Sequence, residues 1–343
     1  MELWIKEKYA AVSDNTRVSF SASNSQPLSF FPSCYLNSFI KPKNMHFSFA
    51  GALLIGSLAS AAVVKRQSAA TTVYTFSGRA SLEGIGARTN GQLVVSRMDS
   101  ADIYNIDPAA KSSTKLTTLT GVTSAAAITE ISPDVFAVVG GQYGGAGGAK
   151  AGSWGVFKID VTGATPKVTT IKMIPESVMF NGLTTLNNDT LLIGEGKGKV
   201  YRLSVSTGEY SVAIDDATMA PPSSAPIPLG IDGVRYSDGF VYYTNIFKNA
   251  FYKVAVDATG KATGTPTAIW TNIQADDMAF GPDGLAYVAA SGKVLRVGKD
   301  GKTTTIASVS GTACAFGRSE KDKNTLYVVS GSGTVYSVPV TIA

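Results

Sequence analysis

The amino-acid sequence predicts an all-β protein built as a six-bladed β-propeller. Helical periodicity is almost absent after residue 67, where short runs of Val, Ile, Leu, Tyr and Thr alternate with turns rich in Gly, Asn, Asp and Pro. Related units also recur along this part of the chain. Units of about 40–50 residues, each long enough for four short strands, are typical of propeller blades.

Residues 1–66 are predicted to lie outside the propeller. From Met45 the chain reads MHFSFAGALLIGSLASAAVVKRQ, an apolar run followed by small residues and a dibasic pair, which indicates a secretory signal peptide over residues 45–62. A membrane-spanning helix needs about 20 predominantly apolar residues, whereas Ser and Gly interrupt this run. Because a signal belongs at an N-terminus, residues 1–44 are interpreted as the product of a mispredicted start codon, with an internal signal-anchor as the alternative. We expect the processed protein to be secreted, without stable membrane association.

Residues 67–343 divide into six units that can be laid over one another. Their first strands begin with LEGIG, SAAAI, FNGLT, IDGVR, DDMAF and ACAFG. The strand Val73–Phe76 precedes the first unit, and we expect it to complete the last blade and close the ring. Asn-Gly and Asp-Gly pairs between predicted strands favour hairpin turns, since both central positions can adopt positive φ. One such turn contains Asn188, the Asn of the chain's single Asn-x-Ser/Thr sequon, which could carry a glycan in a secreted protein.

Composition excludes several kinds of site from residues 67–343. Seven Lys/Arg and three Asp/Glu lie before this region, so only +1 of the chain's net charge of +5 belongs to it, and nothing indicates nucleic-acid binding. The single His, His46, and one of the two cysteines, Cys34, also precede it. A Ser-His-Asp triad, a Cys-His pair, a His-ligated zinc site and an internal disulfide are therefore excluded. Cys314, in an apolar strand, is predicted to be an inert core residue.

One position near the start of each unit is predicted to form a ring around the propeller axis, because the innermost strand of every blade lines the central channel. Its members are Glu83, Ala125, Asn181, Asp232, Asp276 and Thr312. Two interpretations stay open. In the first, these side chains form hydrogen bonds with backbone groups at turns and strand starts. In the second, the three carboxylates converge and need a proton or cation to offset their repulsion. Oxygen ligands select hard cations, so the second interpretation predicts Ca²⁺, or else Mg²⁺, on the axis.

The pieces FNGL, IDGV and MAFGPDGLAYVA make residues 80–340 resemble the senescence-marker-protein-30/gluconolactonase/luciferin-regenerating-enzyme family. Diisopropyl fluorophosphatase and paraoxonase share the family's fold, and the family holds a divalent metal with Glu, Asn, Asn and Asp on innermost strands. The resemblance implies that Glu83, Asn181 and Asp276 are metal ligands. Asp232 stands where the second Asn is usual, which adds a negative charge to the implied site.

The resemblance implies a metal-dependent hydrolase that opens a lactone or a related ester. The ion would polarise the carbonyl and lower the pKa of a bound water. Asp276, with Asp232 as second choice, is expected to be the catalytic base. The alternative is a non-hydrolytic propeller, either a natural-product cyclase or condensing enzyme similar in fold to strictosidine synthase, or a binding scaffold with a structural ion.

Three further residues are expected to contact a small-molecule substrate. Tyr143 lies in the Gly-rich insert GGQYGGAGGAKAG, which is either a plain flexible loop or a cover for a channel mouth. Asn245 follows an aromatic-rich strand. Asp277 is a secondary candidate, since strand alternation points its side chain away from that of Asp276. The Pro-rich connector Met219–Gly230 is predicted to be irregular and to form a pocket wall. We expect a monomer.

Overall fold

The computed structural model describes residues 69–144 and 148–342, and every regular element in these residues is a β-strand. The predicted signal peptide, residues 45–62, and the segment before it lie outside the described residues. Within the described part of the chain, no helix has the length and hydropathy needed to cross a membrane.

The strands are short, as the spacing of the turn residues predicts. In chain order they are β1 (Thr71–Thr75), β2 (Leu82–Ala87), β3 (Leu93–Arg97), β4 (Asp102–Asp107), β5 (Ser112–Thr118), β6 (Ser124–Ser132), β7 (Val135–Gly141), β8 (Gly155–Asp160), β9 (Lys167–Met173), β10 (Phe180–Thr185), β11 (Thr190–Glu195), β12 (Lys199–Ser204), β13 (Tyr210–Asp215), β14 (Ile231–Ser237), β15 (Phe240–Asn245), β16 (Ala250–Ala255), β17 (Thr267–Trp270), β18 (Ala275–Phe280), β19 (Ala286–Ala290), β20 (Lys293–Val297), β21 (Thr303–Ala307), β22 (Ala313–Phe316), β23 (Thr325–Val329) and β24 (Thr334–Pro339).

These strands form six antiparallel four-stranded sheets, the blades of a propeller, which confirms the predicted fold. Blades 1 to 5 each consist of four consecutive strands, from β2–β5 to β18–β21. Blade 6 consists of β22, β23 and β24 with β1 added at its outer edge. The expected closure by the N-terminal strand is thus confirmed, with Thr71 opposite Ser337 and Thr75 opposite Thr334.

The antiparallel order puts three kinds of segment at one face of the propeller, which we call the upper face. These are the starts of the innermost strands, the loops between second and third strands, and the connectors from one blade to the next. The described residues of the Gly-rich insert, between β7 and β8, and the Pro-rich connector, between β13 and β14, both belong to this face. The two irregular segments noted in the sequence therefore lie on the side where the predicted ring residues stand.

The hydrophobic core lies between neighbouring blades. Phe136 and Phe157 of blade 2 pack with Val94 and Ile103 of blade 1, and all four are buried. Cys314 is buried with residues of blades 5 and 6, so its interpretation as a core residue is confirmed. Burial raises the pKa of the Cys314 thiol, which keeps it neutral and unreactive at ordinary pH.

Candidate metal centre at the head of the inner strands

Three carboxylates from different blades converge near the upper face. Glu83, Asp232 and Asp276 each occupy the second position of an innermost strand, namely β2, β14 and β18. One carboxylate oxygen of each lies within 4.8 Å of the others, and all three side chains are buried. Because blades 1 and 4 stand opposite each other in a six-membered ring, the proximity of Glu83 to Asp232 places this cluster on the propeller axis.

Asn181, the second residue of β10, joins the carboxylate cluster. Its Nδ2 donates a hydrogen bond to Oδ1 of Asp232, and its side chain is buried. The structure therefore brings together all four residues that the sequence analysis assigned to a metal, from blades 1, 3, 4 and 5.

The other two ring positions do not add oxygen ligands to the cluster. The hydroxyl of Thr312 donates to the carbonyl of Leu82 at 2.8 Å and lies 3.2 Å from the carbonyl oxygen of Val329, so it joins blade 6 to blade 1. In blade 2 the predicted member, Ala125, is wrong by one residue. After the register shift, strand pairing resumes at Ile128 in blade 2 and at Ile85 in blade 1. Ala126 lies two residues before Ile128, as Glu83 lies two residues before Ile85, so Ala126 is the equivalent of Glu83.

We call the residues at this equivalent position of the six innermost strands, namely Glu83, Ala126, Asn181, Asp232, Asp276 and Thr312, the head residues. In blades 1 to 5 a β-bulge aims the head residue at the axis. The register between first and second strands shifts between Phe180 and Leu183, and again between Ile231 and Val234. The same shift occurs in blades 1, 2 and 5. Bulges re-aim side chains and are common beside functional sites. No local sequence signal distinguishes these bulged positions from regular strand.

The glycine that follows a head residue is required by the closeness of the next blade. A Cβ at Gly182 would lie 2.3 Å from the carbonyl oxygen of Asp232, and a Cβ at Gly233 would lie 2.6 Å from Cα of Asp277. Asn-Gly and Asp-Gly in FNGL and IDGV therefore mark close contact between neighbouring inner strands.

The donor set fits a hard divalent cation. Ca²⁺ binds oxygens at about 2.3–2.6 Å, so two ligands of one ion stand at most about 5 Å apart, and the carboxylate oxygens of Glu83, Asp232 and Asp276 meet this limit. Buried carboxylates at such separations repel unless a proton or cation offsets their charge. The cluster is therefore a buried acidic triad suited to a metal ion.

Asp277 lies next to this cluster but faces a different partner. Its Oδ2 accepts a hydrogen bond from Nη2 of Arg235 in an ion pair, and its Oδ1 accepts the amide of Met278 at 2.8 Å. Asp276 and Asp277 therefore have different partners, as their expected divergence predicts. Sequence reasoning missed Arg235, although a charged residue inside the apolar innermost strand IDGVRYS was a signal that could have indicated it.

Asn245 holds the Pro-rich connector in place. Its Nδ2 donates to the carbonyls of Thr218 and Ala220, both at 2.9 Å, while its Oδ1 accepts the amide of Lys248 at 3.1 Å. The side chain has no exposed surface. The structure therefore gives Asn245 an anchoring role, because backbone groups bind both ends of its amide, and its contact with a substrate stays a prediction.

Tyr143 is largely buried at the base of the Gly-rich insert. It belongs to a buried hydrophobic cluster that includes Trp154 and Met179, and its carbonyl accepts hydrogen bonds from the hydroxyls of Thr123 and Ser124. It also borders an open cavity of about 550 Å³ together with residues of the insert. Its contact with a substrate stays a prediction.

Glu195, the last residue of β11, anchors two upper-face loops of blade 3. Its Oε1 accepts the amide of Val178 at 3.0 Å and its Oε2 accepts the amide of Lys197 at 3.1 Å. Burial raises the pKa of the Glu195 carboxyl, and these backbone hydrogen bonds oppose the rise.

Two sequence relatives have related names. A protein from Phoma sp. is 29% identical over 249 residues, which cover 62% of this chain and 70% of that protein. The protein asR5 from Sarocladium schorii is 21% identical over 260 residues, which cover 63% of this chain and 64% of that protein. Both are named, provisionally, as hetero-Diels-Alderases. No protein-family model matches the chain.

Solved structures share the propeller. Regucalcin from Agrobacterium tumefaciens, a calcium-binding protein, superimposes with a TM-score of 0.58 at 19% identity, covering 79% of this chain and 96% of that one. Luciferin-regenerating enzyme gives 0.58 at 15% identity, covering 79% of this chain and 95% of that one. A provisionally assigned gluconolactonase gives 0.59 at 13% identity, covering 79% and 92%. The expected resemblance to this group is confirmed, and at these identities it establishes the fold alone.

Proposed function

We propose that the chain is an enzyme that catalyses a hetero-Diels-Alder cycloaddition on a small molecule held at the upper mouth of the propeller channel. The observation that supports this most is the similarity to two relatives named provisionally for that activity, over 62% and 63% of the chain. The proposal belongs to the non-hydrolytic alternative predicted from the sequence.

The chemistry suits the residues of this chain. In a hetero-Diels-Alder reaction a four-electron π component joins a two-electron π component, one of which includes a heteroatom. Two σ bonds form, two π bonds are consumed on balance, and no proton, water or leaving group is exchanged. The protein must bind, orient and polarise its substrate. A catalytic His is not needed, and residues 67–343 have none.

We propose that Glu83, Asn181, Asp232 and Asp276 hold a divalent cation, with Ca²⁺ as the first candidate and Mg²⁺ as the second. A bound ion would supply Lewis-acid polarisation of a carbonyl oxygen. The four residues fix the charge on the axis, and their burial limits the access of water. The connector held by Asn245 and the insert that contains Tyr143 are proposed to form the walls around the substrate.

Lactone or ester hydrolysis is the second candidate, because buried carboxylates beside a cation are suited to accept a proton from water. In this proposal Asp276 is the base and Asp232 its alternative. The two carboxylates lie in one cluster, so they would titrate as a coupled pair.

Product stereochemistry separates the two candidates. Purified protein is incubated with a panel of activated heterodiene and alkene pairs, and separately with a panel of lactones, each in Ca²⁺ and in chelator. Because such cycloadditions also occur in buffer and give a racemate, an enantiomerically enriched cycloadduct is the expected result. Racemic cycloadducts, together with Ca²⁺-dependent lactone opening that Asp276→Asn abolishes, would refute the cycloaddition and support the hydrolase.

The cation site has its own test. Isothermal titration of Ca²⁺ into chelator-treated wild type is expected to show one site, and Glu83→Gln is expected to weaken its affinity at least about tenfold, since it removes a charged ligand. Glu209→Gln serves as the matched control, because Glu209 is exposed on the outside of blade 3. A wild type that binds no Ca²⁺ would contradict the proposed site.

We also propose that the protein is secreted as a monomer. Asn188 is exposed in the turn between β10 and β11, at the face opposite the channel mouth, so a glycan there would leave the mouth open. Expression in a eukaryotic host is expected to yield secreted protein whose mass falls on endoglycosidase treatment. Asn188→Gln should abolish that mass change; a secreted wild type without glycan would argue against the modification.

A further inference from the structure

Arg235 lies in β14, three residues beyond Asp232, and contacts the innermost strands on both sides. Its Nη1 donates to the carbonyl of Leu183 in β10 at 3.0 Å and to that of Val234 at 2.8 Å. Its Nη2 forms the ion pair with Asp277 in β18. One guanidinium thus links blades 3, 4 and 5.

The three linked strands are the ones that carry Asn181, Asp232 and Asp276. Leu183 stands two residues after Asn181, and Asp277 directly follows Asp276. A small slide of β10 or β18 past β14 would therefore change the distances between the oxygens of the cluster. Only Glu83, from the opposite side of the channel, lies outside the reach of this link.

The position of Asp277 in its strand supports a specific role. The residue that follows the head residue is small in the other five blades, where it is Gly84, Ala127, Gly182, Gly233 or Ala313. Asp277 is buried at this crowded position, with one carboxylate oxygen on Arg235 and the other on the amide of Met278. A carboxylate held from both sides is well suited to orient the planar guanidinium fork.

We propose that Arg235 and Asp277 are a positioning pair that fixes the spacing of the three ligand-bearing strands and thereby sets the cation affinity of the cluster. The inference rests on the proposed cation site. It assigns Asp277 a role beside the site, where the sequence analysis expected contact with the substrate.

The direction of the change in Ca²⁺ affinity distinguishes a positioning role of Arg235 from a purely electrostatic one. Arg235→Gln removes a positive charge near the cluster, so electrostatics alone would strengthen Ca²⁺ binding. Loss of strand spacing would weaken it, by about tenfold or more, as is typical when groups that orient metal ligands are removed. Arg235→Lys keeps the charge but loses the fork, and it is also expected to weaken binding.

The test compares Ca²⁺ titrations of the full chain and its variants. Arg202→Gln is the control, because Arg202 is exposed on β12 and its loss changes the net charge equally. Hydrogen exchange on metal-free protein gives a second readout, with faster exchange expected in β10, β14 and β18 of Arg235→Gln and Arg235→Lys than of the wild type. Should Arg235→Gln fail to fold, Arg235→Lys decides both measurements.

The outcomes are distinct. Weaker Ca²⁺ binding by both Arg235 variants, with local loss of protection and an unchanged Arg202→Gln, supports the positioning pair. If the wild type binds Ca²⁺ and the Arg235 variants bind it equally or more tightly, the positioning pair is refuted and the cation site is not. A wild type without Ca²⁺ binding overturns the cation site, and this inference with it.

Discussion

At the scale of single residues, the glycines after Asn181 and Asp232 are set by contacts between blades. The backbone of the next inner strand occupies the space that a side chain would need at Gly182 and Gly233. Backbone atoms in a bulged, bonded strand cannot move aside as the end of a flexible side chain can. The polar head residue and its glycine therefore form one structural unit.

Gly233→Ala is expected to lower the free energy of unfolding by about 3 kcal/mol, because overpacking against backbone is poorly relieved. Its Cβ would lie 2.6 Å from Cα of Asp277 and 2.7 Å from the carbonyl oxygen of Asp276. Urea denaturation measures the loss. Gly264→Ala is the matched control, since nothing lies within 4 Å of a Cβ there; equal stability of the two variants would contradict the argument.

At the scale of elements, the last residue of the second strand ties the upper-face loops to the blade. Glu195 pairs with Phe180 in blade 3, and Asn245 pairs with Ile231 in blade 4, so the two are equivalent positions. One uses a carboxylate to accept loop amides, and the other uses an amide to donate to connector carbonyls. The residue type at this position matches the backbone groups of the nearby loop, which are amides beside Glu195 and carbonyls beside Asn245.

Asn245→Ala is expected to destabilise the protein by about 3 kcal/mol and to expose the Pro-rich connector. The substitution leaves the carbonyls of Thr218 and Ala220 without their donor, and each unsatisfied buried group costs about 1–3 kcal/mol. Limited proteolysis should cut within residues 216–230 faster than in the wild type. Asn272→Ala, at an exposed position, should leave the cleavage rate unchanged, and an intact connector in Asn245→Ala would refute the anchoring role.

At the scale of the whole molecule, the ring is closed twice. The pairing of β1 with β24 closes blade 6 through the backbone. On the face opposite the channel mouth, Arg318 of blade 6 pairs with Glu130 of blade 2, and Arg88 of blade 1 pairs with Asp134 of blade 2 at 2.8 Å. The first ion pair joins blade 6 to blade 2 across the closure, and the second joins blade 1 to blade 2 beside it.

The Arg88–Asp134 pair predicts a dependence of stability on pH. The hydrogen bonds from Arg88 lower the pKa of Asp134 below its ordinary value of 3.8, so the unfolded carboxyl binds its proton at a higher pH than the folded one. The contribution of this ion pair to the free energy of unfolding is therefore present above about pH 4, and it is lost as pH falls through the pKa of Asp134 in the folded protein.

Asp134→Asn should accordingly lower the free energy of unfolding by about 1 kcal/mol at pH 7 and by less at pH 2.5. Urea denaturation at both pH values measures the difference. Asn tolerates the backbone at this position, where φ is +60°. Glu320→Gln, at an exposed site, should show no such difference. A pH-independent cost of Asp134→Asn would contradict the assignment.

The number of blades, the order of the strands, the closing strand and the four polar head residues could all be predicted from the amino-acid sequence. Each of these depends on local alternation and on a repeat whose copies can be compared. Four features became visible only in the folded chain: the bulges that aim the head residues inward, the register of blade 2, the anchoring by Asn245 and the link through Arg235. Ring closure brings Glu83 to Asp232, and the packing of neighbouring blades brings Arg235 to Asp277, in each case across a long stretch of chain. No local preference of the backbone encodes such distances, because they arise only when six blades pack around one axis.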